Sequence, residues 1–234
     1  FIFPADLRGT ARAKVPKMKN WSISAKFTLL FLSSVVVALL FGAFNLWSDR
    51  EQARLDHALA DTFAGQSYIE KINGLVYAVV MDSRGIYMSP KPEVLKKYAD
   101  GMFVSLDRMM QTVTAWEKEV SPTLKPKFDD MKKGVVQFRD FRSEMARRGI
   151  AEGANVAREI GDNDANRAVR TALNKHLEAL AAGLSVEADA IGAEVDRLAA
   201  LSHLVGLALI VVCILVGGIG IWTARSQIAR PIGR

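Results

Sequence analysis

The sequence predicts an all-α fold, a membrane-anchored antiparallel four-helix bundle carried between two transmembrane helices. Three features predict it: two long apolar runs bracket a polar middle, prolines and glycines cut that middle into helix-length pieces, and its last piece carries a heptad seam. The first apolar run, Phe27 to Trp47, contains no charged residue. The second lies within Leu198 to Ala224, which lacks Asp, Glu, Lys and Arg throughout. A hydrocarbon core roughly 30 Å thick needs about 20 helical residues, so each run is long enough to span. The first run is also too long for the apolar part of a secretory signal, and no small-residue cleavage pattern follows Trp47.

Charge orients the two spans. Arg8, Arg12, Lys14, Lys17, Lys19 and Lys26 precede the first span against one acid, Asp6, and Arg225, Arg230 and Arg234 follow the second with none. That leaves 22 of the 31 Lys+Arg and 24 of the 25 Asp+Glu for the segment between, so the net charge of +6 is an effect of the two tails. The positive-inside rule puts both termini in the cytoplasm and the middle outside. Trp21, Trp47 and Trp222 fall near the expected membrane edges, where aromatic residues collect. The basic balance therefore needs no nucleic-acid partner. The expected layout is a basic tail over 1–26, transmembrane helices over 27–47 and 201–224, an external domain over 48–200, and a short cytoplasmic piece over 225–234. Met18-Lys19-Asn20 ahead of a span resembles a natural start, which would leave residues 1–17 as an upstream extension or a remnant.

Within the middle, Ser89-Pro90-Lys91-Pro92, Ser121-Pro122 with Pro126, and the glycines Gly149 and Gly153 are the punctuation. Proline lacks an N–H and restricts its predecessor, so helices stop and restart there. The expected helices run over 48–88, 94–120, 127–148 and 155–200, the first and last continuous with the spans. The most strand-like piece, Gly74–Met81, reads as a buried stripe inside the first helix. On the fourth, alternating steps of four and three select Asn163, Arg167, Arg170, Asn174, Leu177, Ala181, Leu184, Ala188, Ile191, Val195 and Leu198. The last seven are apolar, a coiled-coil seam, while the first four are polar. A competing stripe, Ala165, Val169, Leu173, His176 and Leu180, would make the core there and leave Arg167 and Arg170 in solvent, neutralised by Asp162 and Asp164.

Arg84 lies about 55 Å along the first helix from Trp47, nearly level with Arg167 at about 50 Å from Ala200. Arginines on different helices at one height suggest an anion site, because guanidinium grips carboxylate as a fork. Little argues for other chemistry. The lone Cys213 sits inside the second span and reads as a small hydrophobe. His57, His176 and His203 lack metal-ligand spacing, and no phosphate loop or nucleophile elbow is present. No catalytic residue, metal or cofactor is expected.

The basic start MKNWSISAKF, the segments VVMDSRGIYMSP and GDNDANRAVRTALNKHLEALA, and the closing WTARSQIARPIGR with Pro231 together resemble a bacterial methyl-accepting chemotaxis receptor with a four-helix-bundle periplasmic sensor. The last segment resembles the opening of a HAMP domain. The resemblance implies a homodimer in the bacterial inner membrane whose sensor is periplasmic and binds a small, anionic molecule. It implies that binding shifts the fourth helix and second span, and that a kinase and adaptor are reached only through a cytoplasmic part following Arg234. It also implies that Arg84, Arg167 and Arg170 grip the ligand, with Tyr87 and Asn174 as further donors. The alternative is the same sensor serving a histidine kinase or diguanylate cyclase through HAMP.

Overall fold

A computed structural model describes residues 22–225, and every described element is helical. Helix α1 spans Ile23–Met88 without a break. Ser22 caps it, its Oγ accepting from the Ala25 N–H at 3.2 Å. The helix ends where Ser89-Pro90 forbids another turn, and the Ser89 hydroxyl folds back to donate to the Gly85 carbonyl at 2.6 Å. Helix α2, Pro92–Trp116, starts on a proline whose missing N–H costs nothing there, with Glu93 in its first turn.

Three boundaries differ from the sequence reading. Helix α2 stops at Trp116 rather than Val120, because tighter bonds such as Glu119 N–H to the Trp116 carbonyl at 2.9 Å turn the chain early. Helix α3, Lys125–Glu152, takes Pro126 into its first turn, where proline is tolerated, and runs on through Gly149. Gly149 is a packing position: a Cβ there would meet the Ala157 Cβ at 2.8 Å. The true stop is Gly153, whose φ of 100° is readily adopted only without a side chain.

The third difference matters most. The expected fourth helix is two helices, α4 over Ala154–Gly161 and α5 over Asp164–Ala224. Asn163 makes the restart, its Oδ1 accepting from the Asn166 N–H at 2.9 Å, with Asp164 in the first turn.

The chain divides into two compact units, Asp49–Ala199 and the flanking segments on either side of it. In the first, α1 buries Ile69, Ile72, Val76, Val79 and Ile86 at helical spacing; of the Gly74–Met81 segment expected to be buried, Val76 and Val79 are, while Gly74, Tyr77 and Met81 are exposed. Helix α5 buries Leu173, Leu177, Leu180 and Leu184 against them. Both rows therefore contribute to the core, Leu177 and Leu184 from the heptad seam and Leu173 and Leu180 from the competing stripe. Trp116 anchors the core, stacked on Tyr68 at 5.8 Å and edge-on to Phe128 at 5.3 Å. Pairings across the unit join Gly85 to Tyr98 and Asp82 to Gly101 between α1 and α2, and Gly65 to Leu184 between α1 and α5.

In the second unit, α1 and α5 each hold an apolar window long enough to cross a bilayer, with none of either window buried. Phe31, Leu39, Leu40, Leu204, Ile210 and Ile214 are all exposed. The Ser48 and Ser202 hydroxyls meet at 3.1 Å. Cys213 is exposed. Residues 1–21 of the expected tail over 1–26, with Met18 and Trp21, and the HAMP-like residues after Arg225 lie outside the described residues.

Candidate functional site

Val80, Ser83, Arg84 and Tyr87 recur on α1 at three- and four-residue steps, so one face of its last turns presents them together. Opposite them the Asp162 break lets Gly161, Asn166, Arg167 and Arg170 come close, and α3 supplies Arg142. These residues enclose a cavity of about 250 Å³ inside the Asp49–Ala199 unit. Of the residues expected from sequence, Arg84, Tyr87, Arg167 and Arg170 line it, and Asn174 does not.

The arginines are not equivalent. Arg167 is exposed and paired with Asp162 at 3.1 Å and Asp164 at 2.8 Å, the neutralisation the sequence offered as the alternative. In solvent such pairs contribute little. Arg84 is exposed and Arg170 half-buried, and among the described residues neither forms an ion pair.

Arg142 was missed from sequence. It is only 3 % exposed and faces no carboxylate at ion-pair distance among the described residues. One terminal nitrogen donates to the Ser83 hydroxyl at 2.9 Å and the Tyr87 hydroxyl at 3.3 Å, and the guanidinium Cζ lies 5.3 Å from the Phe138 ring centre. Its Nε has no partner. Burial depresses the guanidinium pKa; Tyr87 opposes that, and the charge of Arg170 adds to it. A buried cation next to another cation is a costly arrangement for a protein to keep. The signal was in the sequence: Met131, Val135, Phe138, Arg142, Met145 and Gly149 follow each other at steps of four and three, all buried, with one charge among them.

Two more groups complete the lining. Tyr87 is pushed above its ordinary pKa, chiefly by burial, so its phenol stays protonated at neutral pH. Its hydroxyl rests so close to Gly161 that a Cβ there would force the Tyr87 and Met145 side chains to move. Asn166, 5 % exposed, donates through Nδ2 to the Gly161 carbonyl while its Oδ1 has no partner. The wall thus offers cations, a phenol and one neutral acceptor, a lining suited to holding a small anion.

A larger cavity of about 490 Å³ lies beside the α2–α3 turn, its wall carrying the acids Asp61, Glu119 and Glu187 with one cation, Lys118. There the Ser121 hydroxyl donates to Glu187 at 2.7 Å. Comparison of the chain with protein-family models, with curated proteins and with solved structures returned no match.

Proposed function

We propose that this chain is the sensory, membrane-anchored part of a chemotaxis receptor, without catalysis of its own, that binds a small anion in the cavity around Arg142. In this reading Asp49–Ala199 is an antiparallel four-helix bundle on the periplasmic side of a bacterial inner membrane, α1 and α5 cross that membrane, and HAMP begins after Arg225. The observation that carries it is a buried arginine with no carboxylate, lining a cavity with the unpaired Arg84 and Arg170. An anion bridging α1, α3 and α5 would favour whichever position of α5 brings Arg170 nearest. Differential affinity for two positions is the only way a ligand shifts an equilibrium. Helix α5 runs unbroken from Asp164 to Ala224, so a shift in its first turns has a continuous path along the chain.

The test is thermal unfolding of the full chain in lipid nanodiscs with sulfate, phosphate, and mono- and dicarboxylates in turn. An anion at about 100 times its dissociation constant adds roughly 2.7 kcal/mol, a plain upward shift in midpoint. A flat response to every anion would sink the anion site.

Dimerisation has its own support on α1. Phe63, Ser67, Glu70, Gly74, Tyr77, Met81, Arg84 and Met88 alternate by four and three residues, and all are exposed. Phe63, Tyr77, Met81 and Met88 are large apolar side chains left in solvent on that line, the pattern of an unpartnered coiled-coil seam. Cysteine at Tyr77 or Met81, with Cys213→Ser, is expected to give a disulfide-linked dimer on mild oxidation. Cysteine at Gln137, exposed on α3, is the control and stays monomeric on a reducing-agent-free gel. Equal crosslinking at all three positions would reject the α1 seam.

A further inference from the structure

We infer that the anion this cavity takes is a doubly charged oxyanion that carries a hydroxyl group and no ammonium group, a short hydroxy-dicarboxylate rather than an amino acid. The inference rests on the anion-sensing reading of the same cavity. Size comes first: at about 250 Å³ the cavity lies below the roughly 300–1,000 Å³ of pockets for drug-sized ligands, so the occupant is a small metabolite.

Charge comes next. Arg84, Arg142 and Arg170 have no carboxylate partner among the described residues, and Arg158 of α4 stands nearby with a nitrogen 3.4 Å from the Tyr87 carbonyl. The one carboxylate in the wall, Asp162, is engaged by Arg167. Asp164, the other acid of the cluster, faces solvent with a side chain 99 % exposed. One negative charge would leave Arg142 or Arg170 uncompensated, whereas two answer both. An α-ammonium would bring a further cation among the guanidiniums with no free carboxylate to receive it, which costs binding directly.

The hydroxyl follows from Asn166. That residue lines the cavity, and its Oδ1 is a buried acceptor without a donor. A ligand hydroxyl donating there would satisfy that acceptor. Tyr87, accepting from Arg142, has its own proton to donate to a ligand carboxylate.

The probes are L-malate, succinate, L-aspartate and sulfate, titrated calorimetrically into the full chain in nanodiscs. L-Malate and L-aspartate share their skeleton and differ at one carbon, hydroxyl against ammonium; succinate has neither. L-Malate is expected to bind tightest, succinate roughly tenfold more weakly because Asn166 stays unpaired, and L-aspartate at least roughly a hundredfold more weakly. Asn166→Ala is expected to bring L-malate down to the succinate value and leave succinate unmoved, which a merely structural loss would not do. Arg170→Gln, at a half-buried position, is expected to weaken both dicarboxylates alike. L-Aspartate binding as well as L-malate would overturn this inference and leave the anion site standing. Sulfate binding with both dicarboxylates silent would also overturn it, in favour of an inorganic oxyanion. Silence from all four probes would overturn the anion reading itself.

Discussion

Replacing Arg142 with methionine is expected to make the ligand-free protein harder to unfold while abolishing anion binding. The side chain is 3 % exposed, its partners Ser83 and Tyr87 are neutral, and its Nε is unpaired. Replacing a buried ion pair or triad by apolar residues of similar volume is often neutral or stabilises by about 1–4 kcal/mol, and Arg142 lacks even the pairing carboxylate among the described residues. For a domain of this size each kcal/mol moves the midpoint by about 2–4 °C. The two readouts move in opposite directions, and that opposition separates a binding arginine from a structural one. If Arg142→Met unfolds earlier than the parent, the guanidinium is holding the core through Ser83, Tyr87 and Phe138, and the site loses its central cation.

The largest loss of stability is expected from Phe128→Ala, about 3–5 kcal/mol. Phe128 is fully buried at the start of α3, edge-on to Trp116, which in turn stacks on Tyr68 of α1. Removing the ring opens a cavity where three helices meet, and the loss combines transfer energy with the unfilled space. It is a large part of the roughly 5–15 kcal/mol that holds a typical domain together. Trp116 is the one tryptophan within Asp49–Ala199, so its fluorescence through a denaturant titration reads that unit. The midpoint should fall with the slope unchanged. A loss below about 1 kcal/mol would mean that the neighbours collapse into the space, and that this cluster does not anchor the core.

Much of this architecture was legible in the residues. The apolar windows on α1 and α5 follow from composition, and Ser89-Pro90 and Gly153 stop helices for reasons internal to the backbone. The short-range details were not. Whether Pro126 precedes the start of α3 or lies inside its first turn is a difference of a few residues that propensity does not decide. The break at Asp162–Asn163 was hidden because Asn and Asp are only mildly unfavourable inside a helix and equally at home capping one.

The candidate site divides along the same line. Arg84, Arg167 and Arg170 could be brought together by counting rise along two helices, since 1.5 Å per residue is nearly invariant. Their inequality could not be read that way: Asp164 pairs with Arg167 at a spacing any helix allows, whereas Asp162 reaches it from across the break and Arg170 is left without an ion pair among the described residues.

What the sequence by itself determined is therefore the part of this protein governed by local or one-dimensional physics: apolar length, tail charge, helix punctuation and the heptad rows. What only the tertiary structure decided is which polar groups lose their water. Burial of Arg142 and Asn166, and the unpaired Nε and Oδ1 that follow from it, arise from α3 and α5 closing on α1 across long stretches of chain. Desolvation belongs to the assembled neighbourhood and not to any residue in it, and it is desolvation that sets Arg142 apart from an ordinary surface arginine.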